Sequence, residues 1–176
     1  MILFNSAGVD SFDRLNGFAR VSRPKELKDL LTATYPDGSL CVIYTPLGGS
    51  KAEHFDLVCK MVKVCGHLVL AVDEIDLFMT ANDLGEQSFY DVVNYGRHLR
   101  VAIIGTTRNT VAVSRQFTSM LTEIDVFATT EPRYLKYLED SCGGVLSEQV
   151  PLLGKHEFVR WLSDGSECLR KRGWGK

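Results

Sequence analysis

The stretch HLVLAVDEIDLF, residues 67–78, decides the fold class because a continuous apolar run ends there in two adjacent acids. The run from Leu68 to Val72 is of strand length, and unbroken apolar strands are typical of sheets covered on both faces. Asp73 and Glu74 follow at the point where such a strand would end. The pattern predicts a buried strand with a pair of carboxylates at its tip.

Strand-like runs alternate with helix-like patterns along most of the chain. The sequence predicts strands over residues 1–6, 40–46, 67–74, 100–107 and 123–130. It predicts helices over residues 22–35, 51–66, 86–99, 111–121 and 131–144. Residues 145–153 are predicted as a further strand, and residues 155–173 as a hairpin around an Asp164-Gly165 turn. This alternation indicates an α/β three-layer sandwich, with a mostly parallel sheet, helices on both faces and a C-terminal β-hairpin.

Length and composition narrow the class of protein. The 176 residues show no repeat or linker, so a single domain is predicted, with a core over about 1–140 and a C-terminal strand and hairpin over about 141–176. The formal net charge of -2 excludes a uniformly basic surface for nucleic acid. No signal peptide or membrane-length apolar run is present, which predicts a cytoplasmic protein without a membrane partner. Five cysteines without a CxxC pair indicate reduced thiols.

Polar side chains follow several of the predicted strands. Because the carboxyl ends of parallel strands meet at one edge of a sheet, where ligands bind, these side chains are expected to lie together. The residues concerned are Asp73, Glu74, Thr106, Thr107, Thr129 and Thr130.

The Asp73-Glu74 pair has the pattern of a Walker B element, the acidic strand end of P-loop ATPases. Carboxylate oxygens are ligands that Mg²⁺ prefers, so Asp73 is the predicted metal and cofactor-binding residue. Glu74 is the predicted catalytic residue that orients or deprotonates the water attacking a γ-phosphate. The alternative is that Asp73 caps the segment that follows it and that Glu74 is an ordinary exposed acid.

The strand predicted over residues 100–107 ends in hydroxyls and an arginine. Thr106 is predicted to bind the cofactor, and Thr107 to sense the γ-phosphate or position water. Both threonines could instead cap the next helix. Arg108 and Arg115 are candidate catalytic arginines that stabilise transition-state charge on a neighbouring subunit's nucleotide. A surface salt bridge is the alternative for each arginine.

Three segments together resemble a known family. They are LVLAVDEIDLF (68–78), YGRHLRVAIIGTTRNTVAVSRQF (95–117) and EIDVFATTEPRYLKYLED (123–140). In order and spacing they resemble the HerA/FtsK-type branch of P-loop ATPases, which includes chromosome translocases, conjugation motors and viral or phage genome-packaging ATPases. The resemblance covers roughly residues 37–140. It implies a RecA-like sheet, a ring-forming homo-oligomer, Mg²⁺ and ATP as cofactors, and a role in moving DNA in a phage or mobile element.

The phosphate-binding loop of that family does not occur in this sequence. No GxxxxGK[ST] motif is present, and LGGSK (47–51) lacks the first glycine and follows the second predicted strand. MILFNSAGVD (1–10) resembles the family strand that comes after the loop. Three explanations fit the missing motif. The protein could be a shortened relative of the family, its start codon could be assigned downstream of the true one, or LGGSK could act as a replacement loop. Without these phosphate contacts tight ATP binding loses its main contacts, so the sequence allows both a domain that is inactive by itself and an ATPase that works without a standard loop.

Two other functions fit the same residues. One is a non-catalytic nucleic-acid- or protein-binding module that kept the fold. The other is a magnesium-dependent nuclease or phosphotransferase that uses a carboxylate cluster. Its members would be Asp73, Glu74, Asp76 and Asp10. The strand order and the arginines after the fourth strand favour the ATPase.

Local patches set the expectations about partners. DNA could contact a basic tail bearing two tryptophans, or the basic residues before the fourth strand; both sets could equally be ordinary surface. These residues are Arg97, His98, Arg100, Trp161 and Trp174. HEFVRWLSDG (156–165) has the alternation of a half-buried edge strand, and exposed edges favour self-association, so a homo-oligomer is expected.

Overall fold

The computed structural model describes residues 1–8, 10–34, 38–164 and 169–172. The strands are β1 Ile2–Phe4, β2 Ala19–Val21, β3 Val42–Tyr44, β4 Val69–Val72, β5 Ala102–Gly105, β6 Glu123–Phe127, β7 Glu157–Leu162 and β8 Leu169–Arg172. The α-helices are α1 Pro24–Thr34, α2 Lys51–Cys65, α3 Gln87–Leu99, α4 Arg115–Ser119, α5 Pro132–Cys142 and α6 Gly144–Gln149. Single 3₁₀ turns lie at Asp10–Arg14, Ile75–Leu77, Thr110–Ala112 and Val150–Leu152.

The chain divides into two compact units. The first comprises residues 1–80 and 84–108, and the second comprises residues 81–83 and 109–176. The single domain predicted from the sequence stays a prediction.

The first unit is built on a five-stranded parallel sheet with the order β2-β3-β1-β4-β5. In the middle of the sheet, Phe4 of β1 is paired with Tyr44 of β3 on one side and with Val72 of β4 on the other. All five strands run in one direction, so their C-terminal ends form a single edge. The acids after β4 and the threonines after β5 lie at that edge.

Both faces of the central strands are covered, which explains their unbroken apolar sequences. Successive side chains of a strand point to opposite faces. On one face Phe4 and Tyr44 pack in a cluster of aromatic rings with residues of α2, of α3 and of the turn after β4; the added members are Phe55, Phe89 and Phe78. On the other face a second cluster consists of Leu3, Ile43, Ala71, Met1, Phe12 and Phe18.

The second unit has its own sheet and core. β6, β7 and β8 form an antiparallel sheet in which Val126 lies opposite Val159. The core of this unit consists of Val126, Leu138, Leu146, Val150, Leu153 and Val159. Trp161 and Ile124, also paired across β6 and β7, pack against that core.

The predicted α/β class, the mostly parallel RecA-like sheet and the C-terminal hairpin are confirmed; the turn residue Gly165 lies outside the described residues. Three details of the prediction are wrong. β2 is an additional strand, and β6 pairs with β7 rather than joining the parallel sheet. Residues 145–153 are helical, because Leu146, Val150 and Leu153 recur at helical spacing and are all buried.

Two further findings concern composition. No helix within the described ranges combines the length and the apolar character that crossing a bilayer requires. Cys41, Cys59 and Cys65 are free thiols, and burial raises the pKa of Cys59, the most enclosed of the three.

Candidate active site

The candidate site lies at the C-terminal edge of the parallel sheet, where β4 and β5 end side by side. The ladder continues one residue beyond β4, since the backbone N–H of Asp73 donates to the carbonyl of Phe4 at 3.0 Å. It also continues beyond β5, where the N–H of Thr106 donates to the carbonyl of Val72 at 3.0 Å. The first polar residues after the two strands are therefore held in strand register.

Asp73 is fixed by contacts from both neighbouring strands. The hydroxyl of Thr106 donates to Oδ1 of Asp73 at 2.7 Å, and the same hydroxyl oxygen accepts the N–H of Glu74 at 3.1 Å. From the side of β1, the hydroxyl of buried Ser6 donates to the carbonyl of Asp73 at 2.5 Å. Oδ2 of Asp73 has no hydrogen-bond partner among the described residues, so it is the carboxylate oxygen available to a ligand.

Glu74 turns the chain away from the sheet. It has φ 51° and ψ 57°, a left-handed conformation uncommon for a residue other than glycine. The next residue is tied back to β5, since the N–H of Ile75 donates to the carbonyl of Thr106 at 2.9 Å. The Glu74 carboxylate lies 3.6 Å from Nε of Arg108. That arginine side chain is 87% exposed, so the ion pair holds Glu74 only weakly.

A second carboxylate–hydroxyl pair lies beside the first. The hydroxyl of Thr107 donates to Oδ1 of Asp76 at 2.7 Å, and Asp76 belongs to the 3₁₀ turn Ile75–Leu77. Two threonines in sequence thus contact two acids that are three residues apart. Asp73, Glu74 and Asp76 are all partly exposed, which leaves the edge accessible to water and ions.

Three other predicted site residues belong to the second unit. Arg115 begins α4 in the second unit, where its N–H donates to the carbonyl of Ala81 at 3.2 Å. Thr129 and Thr130 follow β6, which pairs with β7, so the expectation that they end a strand of the parallel sheet is wrong. The side chain of Asp10 lies outside the described residues.

The basic residues predicted to contact DNA occupy other positions. Arg97 and His98 are exposed in the last turn of α3, and exposed Arg100 caps that helix before β5 begins, whereas the acids lie beyond its other end. Cations in the last helical turn are favoured by the helix dipole alone. Trp161 packs against the core of the second unit, and Trp174 lies outside the described residues.

The LGGSK segment forms the connection between β3 and α2. Gly48 and Gly49 have positive φ values, and the carbonyl of Gly48 is hydrogen-bonded to Nε2 of His54 at 2.9 Å. The other ring nitrogen of His54 is hydrogen-bonded to the hydroxyl of buried Tyr44, whose pKa is raised to about 12 by burial. β1 lies between β3 and β4, so this segment does not neighbour the tip of β4.

Sequence reasoning missed two contacts of the site. Ser6 follows β1 as Asp73 follows β4, so a search for polar residues after every strand would have found it. Asp76 was expected in the turn leaving the strand, with a metal ligand as the alternative, and nothing in the spacing indicates that it accepts from Thr107.

The donor set fits a single hard cation. Mg²⁺ is commonly held by one or two carboxylates, with water and phosphate oxygens completing its shell. Within the described ranges, no group of three or more His, Cys, Asp or Glu residues could hold a metal ion. Asp73 therefore fits a Mg²⁺ site in which one protein carboxylate binds the ion and water and phosphate oxygens supply the other ligands.

A five-stranded parallel sheet covered on both faces defines the class, an α/β fold of the RecA-like type. No family model matches the sequence, and no curated protein does. Among solved structures, the chain is similar to the genome-packaging NTPase B204 of Sulfolobus turreted icosahedral virus 2. The complex of that protein with ATP-gammaS has a TM-score of 0.77 at 14% identity, over 98% of this chain and 80% of that one.

Two further structures give the same result. The sulfate complex of the same protein has a TM-score of 0.79 at 14% identity, over 99% of this chain and 82% of that one. B204, the DNA-packaging ATPase from Sulfolobus turreted icosahedral virus, has a TM-score of 0.73 at 15% identity, over 99% of this chain and 82% of that one. At these identities the likeness establishes the fold. The chain has the fold of viral genome-packaging NTPases, as the resemblance to the HerA/FtsK-type branch predicted.

Proposed function

We propose that this chain is an ATPase-type domain of the DNA-packaging or DNA-translocating kind, acting in the cytoplasm as a homo-oligomer. The observation that carries the proposal is the Asp73–Thr106 pair at the C-terminal edge of a sheet with this fold. A phage or mobile-element origin and DNA as the substrate are part of the proposal, and the likeness to packaging NTPases supports them. Arg115 is proposed as the arginine that acts on a neighbouring subunit's nucleotide.

Each residue of the edge has a distinct proposed task. The carboxylate of Asp73 would hold Mg²⁺, and Thr106 keeps that carboxylate in one orientation. When bound, the ion neutralises phosphate charge and helps to orient the nucleotide. Glu74 takes or orients the proton of the attacking water, and Arg108 neutralises nearby negative charge. The GxxxxGK[ST] motif that cradles the phosphates in related ATPases does not occur in this sequence, so affinity for ATP is expected to be low.

The test is equilibrium binding of magnesium-ATP to wild type, Asp73→Asn and Glu74→Gln. Asp29→Asn, at an exposed position of α1, is the matched control. Asp73→Asn should weaken binding by at least about tenfold, roughly 1.4 kcal/mol. Glu74→Gln should keep binding and lower any hydrolysis by about a hundredfold or more. Asp29→Asn should change neither quantity.

Absence of wild-type binding at millimolar nucleotide would contradict the proposal. A chain that binds DNA or protein through this fold without nucleotide would then be the better description, and a DNA-binding titration of the same sample distinguishes it.

A further inference from the structure

The two threonines of the edge have chemically restricted hydroxyls. A hydroxyl has a single proton, and an ionised carboxylate can only accept a hydrogen bond. The Thr106 hydroxyl must therefore donate to Asp73, and the Thr107 hydroxyl must donate to Asp76. Towards every other group, both hydroxyls can only accept.

This restriction bears on the phosphate-sensing task predicted for Thr107. Phosphate oxygens are acceptors, so a hydroxyl whose proton is already given to Asp76 offers them nothing. Water has two protons and can donate one of them to the Thr107 oxygen. The contact with Asp76 thus decides which kind of ligand Thr107 can hold.

Asp76 is well placed to keep this contact. It lies in the 3₁₀ turn after β4, and that turn is tied to β5 by the hydrogen bond from the Ile75 N–H to the Thr106 carbonyl. Phe78, which closes the turn with an N–H bond to the Ile75 carbonyl, is itself buried in the aromatic core. The turn that carries Asp76 is therefore held by β5 and by the aromatic core, and from this turn the Asp76 carboxylate contacts Thr107 at the end of β5.

We infer that Asp76 is a positioning residue that commits the Thr107 hydroxyl to accept, so that Thr107 orients the attacking water and does not bind the γ-phosphate. The inference rests on the proposed function and adds a task for a carboxylate that is not itself a metal ligand. In the neighbouring pair the roles are reversed, since the Thr106 hydroxyl orients the Asp73 carboxylate.

The test separates the acceptor role of Asp76 from its charge. Asp76→Asn keeps an oxygen that accepts from Thr107 but loses the charge, whereas Asp76→Ala loses both. We expect Asp76→Ala to lower kcat by about tenfold, the rate equivalent of one hydrogen bond, and Asp76→Asn to stay within about twofold of wild type. The dissociation constant for magnesium-ATP should change by less than about twofold in both variants.

Two substitutions of the partner complete the design. Thr107→Ser should retain activity, and Thr107→Val should lower kcat by about as much as Asp76→Ala. Because both act on one contact, the double variant Asp76→Ala with Thr107→Val should be no slower than either single variant. Asp29→Asn again serves as the control.

Three outcomes would overturn the inference. Equal losses of kcat in Asp76→Asn and Asp76→Ala would indicate a role of charge. The other two are a tenfold weaker affinity for nucleotide in Asp76→Ala and additive losses of kcat in the double variant. A wild-type chain that does not bind magnesium-ATP, or binds it without hydrolysis, would defeat the proposed function itself, and the inference with it. The two failures are thus distinguished by the wild-type measurement alone.

Discussion

At the scale of single residues, short hydrogen bonds, and not buried charge, hold the acids of the edge. Asp73 and Asp76 each accept from a threonine at 2.7 Å, while both remain partly exposed. A carboxylate held in this way keeps its orientation without the desolvation cost of a buried ion. The arrangement therefore combines a fixed geometry with access for a cation, which a buried ion pair would not provide.

Gly105 of β5 packs closely against Ile75 in the turn after β4, so a larger residue at this position should destabilise the fold. A Cβ at this position would lie 2.9 Å from Cδ1 and 3.1 Å from Cγ2 of Ile75, which is buried and β-branched. Ile75 cannot easily rotate away, so Gly105→Ala should lower the free energy of unfolding by about 1–3 kcal/mol, measured by urea denaturation. A displaced Ile75 would also disturb the adjacent Glu74, so any hydrolysis should slow as well.

Gly144→Ala is the matched control for Gly105→Ala. A Cβ at Gly144 meets no atom within 4 Å, and the residue begins α6, where alanine is favoured. Equal stability of Gly105→Ala and wild type would show that the close packing against Ile75 is not a constraint.

Residue contacts could be predicted from the sequence only where strand order implied them. The neighbourhood of Asp73 and Thr106 followed from two strands ending in polar residues. The contact of Thr107 with Asp76 did not follow, because it depends on a 3₁₀ turn whose direction is set by packing of Ile75 and Phe78. The approach of Gly105 to Ile75 was equally invisible, since glycine after an apolar run reads only as a strand end.

At the scale of elements, α2 and α3 are joined by a polar contact next to the aromatic core. The hydroxyl of buried Ser88 donates to Oδ1 of Asp56 at 2.6 Å, and Lys60 forms an ion pair with Oδ2 at 2.6 Å. These hydrogen bonds, from Lys60 first and Ser88 second, lower the pKa of Asp56 below its usual value of 3.8.

The lowered pKa of Asp56 predicts a pH dependence of stability. A carboxyl whose pKa is lower in the folded chain stabilises it above the unfolded pKa of 3.8, and this contribution is lost as the pH falls through the folded value. Urea denaturation from pH 6 to acid should show the free energy of unfolding falling less steeply in Asp56→Asn than in wild type. Asp29→Asn, on exposed α1, should follow wild type; identical slopes for Asp56→Asn and wild type would contradict the prediction.

Elements were predictable from the sequence where their periodicity extended over several turns. α2 and α3 were found close to their observed bounds, since each carries an apolar stripe over more than three turns. β2 is three residues long with one exposed arginine, too short for any period to emerge. Residues 145–153 contain two valines, which favour a strand locally, yet burial of Leu146 and Val150 on one side favours the helix.

At the scale of the whole molecule, the two edges of the parallel sheet differ in chemistry. β2 at one edge carries Arg20, whose guanidinium donates to the carbonyls of the preceding segment, including that of Asp13 at 2.7 Å. β5 at the other edge has the sequence AIIG, without a charged residue or proline. Natural edge strands usually carry such charges, because an apolar open edge can pair with another strand. The edge at β5 therefore reads as a surface for association.

The predicted homo-oligomer can be tested at this edge. Ile104 is 55% exposed, and the strand can pair with a second copy through the backbone groups that alternate with those bonded to β4. Burying the exposed part of one isoleucine contributes about 1.4 kcal/mol, so Ile104→Lys should raise the dissociation constant by about tenfold or more in sedimentation equilibrium. Val64→Lys is the control, since Val64 is 84% exposed on α2, away from any strand edge. If the two lysine variants weakened association equally, general charge repulsion would account for the effect; if wild type were monomeric at every concentration, the β5 edge would not be an interface between copies.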